Sequence, residues 1–309
     1  MQPTLTSAVR PHSPKAWWLA ARPKTLTAAL TPVCTATALA AAHGKMQLVP
    51  ALLCIVFAAL MQVAANFIND LYDYRRGSDR SDRLGPERAC AQGWISPRAM
   101  RRGIVLTLAA ACAAGLGLLP FGGLWLVALG LACVIFSFLY STLLSYIGCG
   151  DLLVWTFFGL VPVAGTFFVQ AGRPDASVWW LCAACGLVTD TLLVLNNYRD
   201  REQDALSGKR TLIVVFGGQF GSVFYLLQGV AACLCAVAAC TSIMPPHASL
   251  AAALPPLLYL PFHALTWRRM VRIGHGRRLN AILGETSRNM LLFAALTTGT
   301  LLLNLPKAL

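Results

Sequence analysis

Nine apolar runs, each about as long as a lipid bilayer requires, recur along this chain at intervals of roughly 30 residues. They cover 26–43, 48–70, 103–119, 122–141, 151–171, 178–198, 219–243, 248–266 and 289–306, the third being short enough to be tilted or re-entrant. Hydrophobic residues make up 57% of the 309, charged residues 12%, and mean hydropathy is +0.63. That balance excludes a large soluble core. The expectation is an all-α, polytopic membrane protein with nine transmembrane helices bundled around a cytoplasm-facing central cavity. Residues 1–15 are expected to be a disordered tail and 16–309 one transmembrane domain.

The net charge of +13 invites a nucleic-acid partner, but its distribution speaks for topology. With a cytoplasmic N-terminus and nine alternating spans, the cytoplasmic side holds 4 Lys/Arg in the N-terminal tail, 8 in 75–102, 4 in 199–210 and 6 in 268–288, which is 22 of the 25. Lys45, Arg173 and Lys307 are left for the other side. This positive-inside bias predicts an N-in, C-out protein of the cytoplasmic membrane, with the bilayer as partner and no nucleic acid or obligate protein partner. Most of these charges do no more than orient the chain. The long connections 74–102, 199–218 and 267–288 lie on the same predicted face, where binding residues are therefore expected.

Of the eleven cysteines, nine fall inside proposed spans, where a thiol behaves as a small hydrophobe. Cys182 and Cys185 stand mid-helix with no His or Asp beside them, which argues against a redox or zinc role. The histidines are scattered without metal-ligand spacing. No cleavable signal peptide is read at the N-terminus. Trp17-Trp18 and Trp179-Trp180 fall near predicted interfaces, as aromatic anchors do.

Two polar clusters end hydrophobic runs: Asn66, Asn69, Asp70, Asp73, and Asn196, Asn197, Asp200, Asp204. Asn66 to Asn196 and Asp70 to Asp200 are both offset by 130 residues. On a helix, Asn66, Asp70 and Asp73 share one face, as do Asn196, Asp200 and Asp204. Carboxylates at a membrane boundary are functional candidates. Hard oxygen donors in two opposed sets suit Mg²⁺, which commonly bridges a few carboxylates to substrate phosphates. Basic residues follow each cluster: Arg75, Arg76, Arg80, Arg83 and Arg88 after the first, and Arg199, Lys209 and Arg210 around the second. Acidic and basic groups together are what a metal–diphosphate site requires. Ionising an allylic diphosphate leaves a cation that apolar walls can keep from water. The bland alternative is a pair of solvated, capped helix ends.

The stretch Asn66-Phe-Ile-Asn69-Asp70-Leu-Tyr-Asp73 resembles the first aspartate-rich motif of the UbiA-type intramembrane prenyltransferases, and Asn196-Asn197-Tyr198-Arg199-Asp200-Arg-Glu-Gln-Asp204 resembles the second. Ala21-Arg22-Pro23-Lys24-Thr25-Leu26, 77–86, Gly148-Cys-Gly-Asp151, Phe158-Gly159 and Gly208-Lys209-Arg210-Thr211-Leu212 are similar to the branch acting on 1,4-dihydroxy-2-naphthoate in menaquinone synthesis. The resemblance covers about 16–230. It implies transfer of a polyprenyl group from polyprenyl diphosphate to that aromatic acid, with loss of CO2 and diphosphate, giving demethylmenaquinone. By the same resemblance Asp70, Asp73, Asp200 and Asp204 are the catalytic, Mg²⁺-holding residues, with Asn66, Asn69, Asn196 and Asn197 supporting. Lys24, Arg83, Arg199 and Lys209 are candidates for contacts to diphosphate or to the aromatic carboxylate, Arg83 being first choice for the carboxylate. Asp79 and Asp82 lie in a loop where the family carries further acidic groups.

Two departures stand out. Segment 137–151 has no basic residue and lacks the Pro-Tyr expected after Tyr140-Ser-Thr. Asp190 lies deep in the sixth run, on the face of Asn197, as a polar partner to the cavity, a helix–helix hydrogen-bonder or a chemical group. Other aromatic acceptors (4-hydroxybenzoate, homogentisate or another phenol) are the alternative. A cation-coupled transporter is the remote one, disfavoured because the clusters lie at the cytoplasmic end and no broken-helix pair is seen.

Overall fold

The computed structural model describes residues 9–77, 84–144, 146–245 and 249–303. Helices and short turns make up the described residues, with no strand among them. Helix α1 (Pro14–Ala21) begins inside the expected tail, where the Ser13 hydroxyl accepts the Ala16 N–H at 3.2 Å. Residues 1–8 of that tail lie outside the described residues, and the His12 N–H donates to the Trp94 carbonyl at 2.8 Å. The chain leaves α1 through Arg22 in the left-handed region (φ 50) and a 3-10 turn, Pro23–Thr25, which leads into α2 (Leu26–Ala42).

Helix α3 (Leu48–Arg76) stops at Gly77, whose φ of 68 a side chain would resist. Ser96 caps α4 (Pro97–Leu116), followed by the short α5 (Leu119–Gly122) and α6 (Trp125–Leu139). A π-turn, Tyr140–Leu144, ends α6, and a second, Thr156–Leu160, joins α7 (Gly150–Trp155) to α8 (Val161–Ala171). Then come α9 (Ala176–Leu206), α10 (Leu212–Thr241), α11 (Tyr259–Ile273) and α12 (Leu279–Leu303).

Six of the nine expected spans are helices long and apolar enough to cross a membrane, and Trp125–Leu139 is a shorter apolar helix. The last two depart from expectation. Pro255 and Pro256 hold 250–258 in 3-10 turns, so α11 starts only at Tyr259. The expected connection 267–288 is mostly helix: α11 and α12 are separated only around Gly274 (φ 70) and Gly276 (φ 86). Asn280, Glu285 and Arg288 are polar yet compatible with helix, and hydropathy alone placed the start of α12 ten residues too late. All eleven cysteines are free thiols.

Helices α3 and α9 both outrun the bilayer. With 29 residues α3 is about 44 Å long, and with 31 residues α9 is about 46 Å. The hydrocarbon core is only about 30 Å thick. The last turns of both therefore carry polar groups past it, and those turns hold the two clusters. Around them the helices close a ring: α2 packs on α3, α8, α9 and α12, and α9 packs on α10. Leu39, Val163, Phe167, Leu181 and Leu301 form part of the buried core where α2, α8, α9 and α12 meet.

The second π-turn crosses α9 at backbone contact. A Cβ on Gly159 would stand 2.6 Å from the Cys182 carbonyl oxygen and 2.8 Å from the Gly186 Cα. Backbone cannot swing aside, so Gly159→Ala is expected to destabilise the protein by about 1–3 kcal/mol. Thermal unfolding in detergent checks this, with Gly299→Ala as control. A Cβ at Gly299 meets nothing within 4 Å, so its midpoint should not fall.

Candidate active site

A cavity of about 1260 Å³ occupies the centre of the ring. One end is polar, lined by Asn66, Asn69 and Asp73 from α3 and by Asn196, Asn197, Asp200 and Asp204 from α9. The other end is walled by side chains such as Phe57, Met61, Phe136, Phe157 and Phe158. The two clusters, 130 residues apart in sequence, thus meet across one space.

Within the first cluster the residues divide their work. Asn66 is buried, and its amide donates to the Ala21 carbonyl and the Thr25 hydroxyl, both at 2.8 Å. It ties α3 to the α1–α2 turn that brings Arg22 and Lys24 to the cavity wall. Asp70 does not line the cavity, contrary to its expected place beside Asp73. It is 1% exposed, and its oxygens accept the backbone N–H groups of Ala89 (2.8 Å) and Cys90 (2.9 Å). It thereby folds the connection after α3 back onto the helix. That fold delivers Arg88, whose guanidinium donates to Asp73 at 2.6 Å. Asp73 and Arg88 both face the cavity.

The second cluster is a chain of charge-assisted bonds. Arg199 grips Asp200 with two parallel bonds, Nε to Oδ1 at 2.7 Å and Nη2 to Oδ2 at 2.5 Å. Its third nitrogen donates to the Asn280 side-chain oxygen at 2.8 Å, and the Asn280 amide donates to the Leu84 carbonyl at 2.7 Å. One bonded line therefore joins α9, α12 and the connection after α3. Lys209 lies 3.2 Å from Asp204 and 5.3 Å from the centre of the Tyr146 ring. Burial pulls the Lys209 ammonium down, but the Asp204 and Asp73 carboxylates outweigh it and hold it above the ordinary lysine value.

Segment 137–151 has no cation of its own, yet the fold supplies two. Arg76 lies 4.6 Å from the Tyr146 ring centre and donates to the Thr142 carbonyl, and Lys209 approaches the same ring. Lys24, Asn69, Asn196, Asn197, Arg199 and Lys209 all line the cavity as site candidates. Arg83, with Arg80, Asp79 and Asp82, lies outside the described residues. Sequence reasoning missed Asn280, which it had left in a loop, and Tyr146. It also missed Asp151 as the neighbour of Asp190. Asp151 stood in the Gly148-Cys-Gly-Asp151 motif without a sign of its partner, and nothing in local sequence marks Asn280 or Tyr146, because α12 brings the first and the turn before α7 the second.

Residues 29–282 match the UbiA prenyltransferase family. The chain belongs to this family. It is similar to the 1,4-dihydroxy-2-naphthoate octaprenyltransferase of Haemophilus influenzae, at 36% identity over 74% of this chain and 79% of that one. The protein of the same name from Mycobacterium tuberculosis is 34% identical over 92% of this chain and 96% of its own. A UbiA homolog from Archaeoglobus fulgidus, solved bound to GPP and Mg²⁺, superposes with a TM-score of 0.67 over 93% of this chain and 99% of that one, at 16% identity. That likeness establishes the fold. This UbiA-family chain is a multi-pass membrane protein, and its polar cluster and apolar chamber share one cavity.

Proposed function

We propose that this chain transfers a polyprenyl group from its diphosphate to 1,4-dihydroxy-2-naphthoate, releasing CO2 and diphosphate, in menaquinone synthesis. The observation that carries the reaction class is the continuity of the cavity. Carboxylates, amides and cations crowd one end, and it runs without interruption into aromatic and aliphatic walls. A long amphiphile with a diphosphate head and a hydrocarbon tail matches both ends. The names of the relatives at 36% and 34% identity support the naphthoate as acceptor.

The donor set suits Mg²⁺. Asp73, Asp200 and Asp204 offer carboxylate oxygens and the four asparagines offer amide oxygens. Among the described residues no three acidic, His or Cys side chains converge to hold a metal alone. Such a set fits an ion that keeps its waters and shares substrate phosphate oxygens. When bound, Mg²⁺ would neutralise diphosphate oxygens and ease departure of that group. Arg88, Arg199 and Lys209 stand among the carboxylates and would take up charge on the departing diphosphate. The Phe-rich wall excludes water from the allylic cation, and ring faces there attract positive charge.

The 22 basic residues of the tail and of the long connections support a cytoplasmic N-terminus and a site opening to the cytoplasm. Nine crossings would then leave the C-terminus outside a bacterial inner membrane.

An acceptor panel tests the proposal, using purified protein in detergent, radiolabelled polyprenyl diphosphate and Mg²⁺. Dihydroxynaphthoate should be prenylated with release of CO2, and chelation should abolish it. Turnover of 4-hydroxybenzoate or homogentisate in its place would overturn the acceptor while keeping the reaction class.

A further inference from the structure

Behind the polar end of the main cavity lies a second, small one of about 50 Å³, lined by Tyr140, Asp151, Asn197 and Lys209 among others. Tyr140, Asn197 and Lys209 border both cavities. A polar space of that size has room for water, which needs about 10–15 Å³ of such volume. Asp151, at the start of α7, is in hydrogen-bonding contact with Asp190 of α9. Asp190 is 3% exposed. Gln228 of α10 donates to its Oδ2 at 2.5 Å, while Asp190 Oδ1 and Gln228 Oε1 have no donor. Two carboxylates have nothing to donate to each other, so a direct contact between them requires a proton on the pair.

The donor chemistry described above does not use these groups. The acceptor chemistry needs a group that takes up one proton and returns it. In the proposed acceptor a hydroxyl stands beside the carbon that bears the carboxylate. We propose that the Asp151–Asp190 pair takes the proton of that hydroxyl through the small cavity and returns it once CO2 has left. This rests on the naphthoate reading. As the prenyl carbon bonds to the carboxyl-bearing ring carbon, the C–O bond to diphosphate breaks and its electron pair leaves with the diphosphate. The hydroxyl O–H bond breaks at the same stage, and its pair forms a ring C=O. The ring is now a β-keto acid. Its C–CO2 bond breaks, the electrons pass to the ring oxygen, and that oxygen takes the proton back. The step needs no oxidant or reductant, and one proton cycles. Tyr140, Asn197 and Lys209 lie between the two spaces.

Asn in place of either Asp keeps shape and keeps a hydrogen bond, since an amide donates to the remaining carboxylate. A structural pair should therefore tolerate the change, whereas a proton-holding pair should not. Asp151→Asn and Asp190→Asn are expected to lose about 100-fold in turnover. Both KM values should stay within about threefold and the thermal midpoint should not move. Scrambling of ¹⁸O from the bridging to the non-bridging positions of the donor diphosphate should persist, because ionisation of the donor does not use the pair. Near-native turnover in either variant would overturn the inference. Loss of scrambling together with product, in folded protein, would equally overturn it by placing the pair in the donor site. If one variant does not fold, the other decides, with Tyr140→Phe as a second probe of the same path, expected to lower kcat at unchanged KM. Wild-type enzyme runs alongside with dihydroxynaphthoate. Its failure to prenylate that acid would sink the naphthoate reading beneath the proposal and leave the scrambling result to stand by itself.

Discussion

Asp200→Asn is expected to cut turnover at least ~100-fold while leaving thermal stability almost unchanged. Asp200 lines the cavity and is held by both arms of Arg199. The substitution removes a negative ligand from the diphosphate end and leaves a side chain of the same size. The Asp200 side chain is 23% exposed while Arg199 is only 2% exposed, but an Asn oxygen at 200 still accepts one Arg199 bond, so the loss of stability should be small beside that of Asp70→Asn. Asp70→Asn should behave differently. At 1% exposure, both of its oxygens accept backbone N–H groups, and an amide oxygen can replace only one of them. Turnover should fall because Arg88 is no longer delivered to Asp73, and stability should fall by about 1–3 kcal/mol. Turnover and thermal unfolding measured together on both variants separate the two roles. Equal midpoints would mean that Asp70 serves the ligand and not the connection. Near-native turnover of Asp200→Asn under saturating Mg²⁺ would remove the second cluster from the site.

Lys209→Ala is expected to raise the KM of the polyprenyl diphosphate at least ~10-fold and to change the acceptor's KM little. The ammonium stands 3.2 Å from Asp204 at the edge of the polar cluster, placed to meet phosphate oxygens as a point charge. Its affinity for the proton is raised from an ordinary 10.5 by Asp204 and Asp73, against the opposing pull of burial. A raised value means that the charge is fully present below 10.5 and is lost only above it. Donor KM in the wild type should therefore stay flat between about pH 7 and about pH 9 as far as Lys209 is concerned. Initial-rate kinetics with one substrate varied at a time will show it. A rise in the acceptor's KM alone would reassign Lys209 to the aromatic carboxylate.

Composition and periodicity determined the class of fold. Apolar runs of bilayer length leave helices as the structure available, and clusters ending two such runs marked where chemistry belongs. The shared faces of Asn66 with Asp73 and of Asn196 with Asp200 and Asp204 follow from 3.6 residues per turn, and all five line the cavity. Tertiary structure decided the rest. Asp70 shares the motif and, on an ideal helix, the face, yet the returning connection offers it two N–H groups at 2.8 and 2.9 Å, and a buried carboxylate goes where donors are. Asn280 reaches Arg199 only because α12 starts at Leu279, a boundary that polar residues hide from hydropathy. The cations at Tyr146 come from α3 and from the turn after α9, so no window of sequence around it could contain them. Asp190 carried a periodicity that pointed it at the site, but its partners Asp151 and Gln228 sit on α7 and α10. Local pattern reports which face a residue occupies. Which groups from other helices meet that face depends on how the ring closes, and close backbone crossings such as Gly159 on Gly186 set that.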